Sequence, residues 1–215
     1  MPTPSPDLHG NAPDTAPAAL VLVDVISDLE FEGGERLFPH ALAAARRIAG
    51  LKRAVKALGI PVVYANDNFG RWRSDFRQVV EHVRHDGVRG APIAELVLPE
   101  ADDYFVLKPK HSAFFATTLN TLLDHFTARH ILLAGFTGDR CVLFTVVDAL
   151  LRDFHVTVPA DCTASIDPED NETVLGYLRR VFAVDTTPSD RLDLWRLLRE
   201  AEEGSPPGDA RRVTP

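Results

Sequence analysis

Cysteine is scarce in this chain, and its spacing carries no metal or redox signature. The two thiols among 215 residues, Cys141 and Cys162, form neither a CxxC pair nor a zinc ligand set. A disulfide framework is out of place in a core of this size, which points to a reducing, cytoplasmic compartment. No uninterrupted apolar run approaches the ~18 residues that a membrane span needs. Residues Met1 to Ala18 carry Pro, Ala, Thr and Asp, with neither the basic start nor the apolar centre of a signal peptide. Positive charge is in deficit: 31 acidic against 23 basic residues give a formal charge of −8, which repels phosphate backbones. Arg71-Trp72-Arg73 is too short to make a basic patch. There is no GxGxxG, no GxxxxGK[ST] and no GxSxG, so the usual phosphate cradles and the serine elbow are missing. These absences exclude nucleic acid and membrane as partners, and no cofactor or metal is expected. A small-molecule substrate is the partner expected.

What is present is an alternation of strands and helices. Residues 1–18 and 204–215 read as disordered tails, leaving a single domain over 19–203, and 45% hydrophobic residues are enough for one core. The run Ala18 to Val25 is nearly all apolar, as a central strand covered on both faces requires. Leu37 to Leu58 follows a helical period through Leu42, Ala45, Ile48, Ala49, Leu51, Lys52 and Val55, and Gly59 ends it. Further strands are expected at Ile60–Ala65, Asp103–Lys108, Ile131–Ala134, His155–Ala160 and, briefly, Val181–Val184. Helices are expected at Phe76–His85, from Thr117 or Thr118 to Phe126, from about Arg140, at Pro168–Val181 and at Asp190–Glu203. Such alternation calls for an α/β three-layer αβα sandwich, doubly wound around a mostly parallel sheet of about six strands.

Chemically loaded residues fall at the carboxyl ends of these strands, where open α/β sheets bind ligands. Asp24 ends the first strand, Lys108 the third, and Cys141 lies just past the Gly135-Phe136-Thr137-Gly138 turn after the fourth. Each has a bland reading: a capping carboxylate, a surface lysine, a small buried thiol. Together they supply a nucleophile, a cation beside it and a base. A helix start at Cys141 also predicts a lowered thiol pKa. Lys110 shares parity with Lys108 in an extended segment, so alternation alone does not choose between them. His111 offers a rival cysteine–histidine arrangement. His82, His85 and Asp86 resemble ligands but fit a solvated helix face equally well. Cys162 reads as strand-end packing. Phe31, Asn66, Asn68, Phe69, Trp72, Phe114 and Phe136 are candidate substrate-binding residues.

Gly135-Phe136-Thr137-Gly138-Asp139-Arg140-Cys141-Val142, Lys108-Pro109-Lys110-His111-Ser112-Ala113-Phe114, the strand ending at Asp24, Thr145, Asp148-Ala149 and Asp161-Cys162-Thr163-Ala164-Ser165 together resemble the isochorismatase-like cysteine hydrolases. The resemblance runs from about residue 19 to 185 and implies a six-stranded parallel sheet with a catalytic triad of Asp24, Lys108 and Cys141. It selects Lys108 over Lys110 by the distance to the Ser-Ala-Phe segment. It further implies a cis peptide between Phe136 and Thr137, an oxyanion site at the backbone N–H groups of Thr137 and Cys141, and a homo-oligomer, dimer or tetramer. The chain departs from the family at two places: Gly138 stands where Thr is common, and Asp67-Asn68-Phe69 puts Phe69 where nicotinamidases carry a metal-binding His. The cysteine leans the chemistry toward a small amide, carbamoyl or ureido substrate cleaved through a thioester. The alternatives are vinyl-ether hydrolysis and a non-catalytic binding or assembly scaffold.

Overall fold

The computed structural model describes residues 15–67 and 75–203. The expected tails therefore lie largely outside the described residues, with one correction at the first boundary. Ala16 and Ala18 are buried, Ala16 N–H donates to Phe126 O, and Ala18 already opens the first strand.

Six parallel strands make one sheet: β1 (Ala18–Val23), β2 (Val62–Asp67), β3 (Tyr104–Lys108), β4 (His130–Phe136), β5 (His155–Thr157) and β6 (Thr163–Ala164). Their order is β3-β2-β1-β4-β5, and β6 pairs with β4 beyond the end of β5. Both sides of β1 are apolar because both are covered. Ala18, Leu20 and Leu22 pack under α1 (Gly34–Lys56), α2 (Phe76–His85) and α3 (Ala91–Leu96). Ala19, Val21 and Val23 face α4 (Leu119–Phe126), α5 (Leu143–Leu150) and α6 (Pro168–Phe182) on the other side. A final helix, α7 (Leu194–Glu202), returns Leu197 to the first face.

The chain runs outward from β1 through β2 to β3, then crosses back to place β4 on the opposite flank of β1. The carboxyl ends of β1 and β4 thus flank the point where winding reverses, which is where a crevice opens in such sheets.

Three expectations at the far end need correction. The short strand expected at Val181–Val184 is absent: α6 continues to Phe182 and closes with Ala183 at φ 55°, and the sixth strand is Thr163–Ala164 instead. Strand β5 stops at Thr157, because Val158 N–H turns to Asp185 O and Pro159 follows. The last helix starts after Asp193, whose side chain accepts from Arg196 N–H, not at Asp190. Helix α3 was not foreseen; Pro92 in its first turn is its clearest sequence mark.

Candidate active site

Strand β1 hands over to the site at Asp24. Its N–H still bonds Ala65 O at 3.0 Å, but its φ of 51° turns the chain out of the sheet. Register places the end of β3 beside this turn, since Asp67 pairs with Lys108. Lys108 is fully buried, and its Nζ lies 2.7 Å from Asp24 Oδ2. Asp24 Oδ1 accepts from Asp67 N–H at 2.7 Å, which holds the carboxylate over the strand ends. Pro109 stops the ladder, and Lys110 contributes its carbonyl, 3.3 Å from the same ammonium, while its own side chain is exposed.

Cys141 arrives from β4 through a tight turn. Gly135, at φ 131°, lies so close to β1 that a Cβ there would sit 2.0 Å from Val23 O. The Phe136–Thr137 peptide is cis. Gly138 to Val142 form a π-helical turn, and α5 continues from Leu143. Gly138 is also closely packed: a Cβ would meet Asn171 Oδ1 at 2.0 Å, so that side chain would have to shift. Asn171 in turn bonds Thr163 and Ser165, and Ser165 Oγ accepts from Asp139 N–H at 3.0 Å. Asn171 from α6 thus fills the space behind the turn that a side chain at position 138 would take.

The result is a contact set drawn from three strand ends. Lys108 Nζ is 3.5 Å from Cys141 Sγ and 2.7 Å from Asp24. His111 Nδ1 lies 3.7 Å from the sulfur, on an exposed ring stacked over Phe144. The loop after Lys108 is clamped to α5. Thr145 Oγ1 donates to Cys141 O at 2.7 Å and accepts from Ala113 N–H at 3.0 Å. Ser112 Oγ donates to Asp148, itself paired with Arg152 at 2.7 Å.

Electrostatics correct one expectation. The Cys141 thiol is not lowered by its place after the turn; burial and then the Asp24 charge push it up to about 12, with Lys108 opposing. Burial also raises Asp24, against the pull of Lys108. Burial alone would lower Lys108, but Asp24 and Cys141 outweigh it and hold the amine protonated. Both acids are raised beside one fixed cation, and the sulfur keeps its proton at neutral pH. The arrangement can therefore pass that proton from sulfur to oxygen beside a cation that steadies either anion.

A cavity of about 420 Å³ opens in front of the sulfur. Asp24, Cys141, Asn66, Phe31, Phe136 and Thr137 all line it, so three of the expected binding residues are brought to the nucleophile. Phe114 is not: it is buried in the second core, where it packs on Phe154 and beneath the Arg152 guanidinium. Its neighbours Ser112 and Ala113 anchor the loop inward, and the ring follows them. Asn68, Phe69 and Trp72 lie outside the described residues. Sequence reasoning missed Ile26, Leu29, Leu37 and Ile166, apolar lining residues indistinguishable by letter from core, and Arg140 and Glu32, whose signal was only their nearness to the turn and the first loop.

His82 and His85 do not converge. His82 bridges Asp86 at 2.7 Å and Asp28 at 3.3 Å, whereas His85 turns to Glu81 at 3.3 Å. Among the described residues no group of three or more His, Cys, Asp or Glu is arranged to hold a metal ion. Nor is any described helix long and apolar enough to cross a membrane. Cys162 is fully buried at the sheet end, where burial and the adjacent Asp161 raise its thiol.

Residues 18–189 match the family described as Isochorismatase domain. An uncharacterised isochorismatase family protein, YaaI of Bacillus subtilis, is 37% identical over 177 residues, covering 82% of this chain and 97% of its own. A maleamate amidohydrolase of Pseudomonas putida is 29% identical over 191 residues, 84% of this chain and 87% of the other. Among solved structures, N-carbamoylsarcosine amidase of Thermoplasma acidophilum superposes with a TM-score of 0.63 at 27% identity, covering 82% of this chain and 98% of that one.

Proposed function

The chain belongs to the isochorismatase family, and from that premise we propose that it is a cysteine hydrolase that opens the C–N bond of a small amide, carbamoyl or ureido compound through a thioester on Cys141. The observation that carries this is that a carboxylate and a thiol lining one cavity share a buried ammonium behind them, at 2.7 and 3.5 Å. Two of the similar proteins, the maleamate amidohydrolase and the N-carbamoylsarcosine amidase, are named for amide chemistry.

In this reading Asp24 takes the Cys141 proton as the sulfur attacks the carbonyl carbon, and Lys108 steadies the developing thiolate. The N–H groups of Thr137 and Cys141 hold the oxyanion, each donor contributing roughly 3 to 4 kcal/mol as in measured cases. The nitrogen leaves as ammonia or an amine, carrying the proton that Asp24 received. Asp24 then takes a proton from water, which attacks the thioester; the C–S bond breaks, the acid is released, and Asp24 returns the proton to the Cys141 thiolate.

Ammonia release from a panel of primary amides, ureido acids and N-carbamoyl compounds tests the proposal. Wild type is expected to release ammonia from at least one class and Cys141→Ala from none; undiminished release by Cys141→Ala refutes it. The 3.7 Å approach of His111 to the sulfur favours a second reading, with histidine as the base. Lys108→Met and His111→Ala, made separately, decide between them: loss confined to the histidine variant supports the second.

A further inference from the structure

Asn66 stands on the cavity floor with its hydrogen bonding half complete. It is 1% exposed, lies on β2 next to the strand's last residue and lines the cavity with Asp24 and Cys141. Strand alternation sets its direction. Val62 and Tyr64 belong to the core under α1, whereas Val63 and Ala65 belong to the opposite one. Asn66 shares the parity of Tyr64, and so faces the side from which Ile26, Leu29 and Leu37 close the cavity.

Its amide is also fixed in sense. Nδ2 donates to Ile26 O. A carbonyl accepts and cannot donate, so the nitrogen is committed to Ile26 and the oxygen is turned away from it. That Oδ1 is buried and has no hydrogen-bond partner among the described residues. A buried acceptor left unpaired is unfavourable, and a donor brought to it by a ligand would relieve that cost. The residues on either side hold the base: Ala65 O accepts from Asp24 N–H, and Asp67 N–H donates to Asp24 Oδ1. The unpaired oxygen is therefore held in a rigid relation to the carboxylate.

We infer that Asn66 Oδ1 accepts an N–H of the scissile amide, so that Asn66 is the residue by which this site selects C–N over C–O bonds. The inference rests on the amide-hydrolase reading above. The sulfur electron pair forms the C–S bond while the carbonyl pair moves to oxygen; on collapse the C–N pair goes to nitrogen, which takes the proton from Asp24. An acceptor that holds one N–H sets the rotation of that nitrogen and turns its lone pair toward the Asp24 proton. An ester oxygen has no hydrogen to offer and would face Oδ1 lone pair to lone pair. Sites built around an N–H reject analogues that lack it for this reason.

Wild type, Asn66→Leu and Asn66→Ala are to be assayed on primary amides paired with methyl esters of the same short acyl group, with thermal melting to establish folding. In both variants kcat/KM for the amide should fall about tenfold or more beyond any fall for the ester. Equal losses on both would reduce Asn66 to support for the Ile26 loop and overturn this inference while leaving amide hydrolysis intact. A wild type that cleaves none of the amides overturns both. On wild type alone, an N-methyl amide, which keeps one hydrogen, should outrun the N,N-dimethyl amide; equal rates would again remove the role assigned to Oδ1.

Discussion

Replacing Asp24 by Asn should make Cys141 more reactive toward iodoacetamide while abolishing hydrolysis. Asp24 Oδ2 lies 2.7 Å and Cys141 Sγ 3.5 Å from the same ammonium, so the two acids are within about 6 Å of each other. Two unit charges ~5 Å apart at an effective dielectric of ~20 interact by ~3 kcal/mol, or about two pKa units. Wild-type thiol, pushed up to about 12, is almost wholly protonated at mildly alkaline pH. Losing the carboxylate while keeping Lys108 lowers it by roughly that interaction, giving ~100-fold more thiolate, of which the weaker nucleophile takes back ~10-fold. Alkylation followed by intact mass near pH 8 should therefore run about tenfold faster in Asp24→Asn, with no ammonia released. Alkylation that stays the same or slows in that variant would show that Asp24 does not act on the sulfur, and the proton path drawn here would fail.

Three further outcomes follow from the packing. Gly138→Ala forces a Cβ to within 2.0 Å of Asn171 Oδ1 and should lower stability by about 1 to 3 kcal/mol in urea; Asn171→Ala in the same chain should restore part of it, and strict additivity refutes the coupling. Asp103→Ala strips the 2.6 Å partner from the buried Lys52 ammonium and should cost about 3 to 5 kcal/mol, toward the lower figure because Glu100 remains at 3.2 Å; a melting temperature unchanged from wild type contradicts it. His82 is raised above its ordinary value by Asp86, more than burial lowers it, with Asp28 adding to the rise. A raised histidine adds stability in full below its unfolded value and loses it as pH climbs through the folded one. The advantage of wild type over His82→Gln, under about 1 kcal/mol for so exposed a group, should therefore be present at mildly acidic pH and vanish in alkali; the reverse slope refutes the bridge.

How much of this was legible depends on what each feature requires. Asp24, Lys108 and Cys141 could be placed together because apolar runs fix where strands end, and in a parallel sheet those ends share one rim. The choice of Lys108 over Lys110 was beyond alternation, since Pro109 ends the ladder and parity no longer reports direction. Lys52 fell in the apolar period of its helix, and that pattern was right: its ammonium is buried against Asp103 from a distant loop. Phe114 was misplaced because an aromatic beside the site and an aromatic beneath it read alike; only the inward anchors at Ser112 and Ala113 separate them. The thiol pKa was misjudged from helix position alone, when burial and a nearby carboxylate, both tertiary, set its direction. The two-residue β6 and the π-helical turn were invisible for the same reason, being made by neighbours and not by local period.

The central claim is that Cys141 carries the acyl group between two chemical steps. Rapid quenching of the protein with a cleaved amide, then intact mass and peptide mapping, should reveal an adduct equal to the acyl group on Cys141, lost on longer incubation and absent in Cys141→Ser. Steady turnover with every Cys141 unmodified at all quench times, or an adduct residing on Cys162, would contradict it.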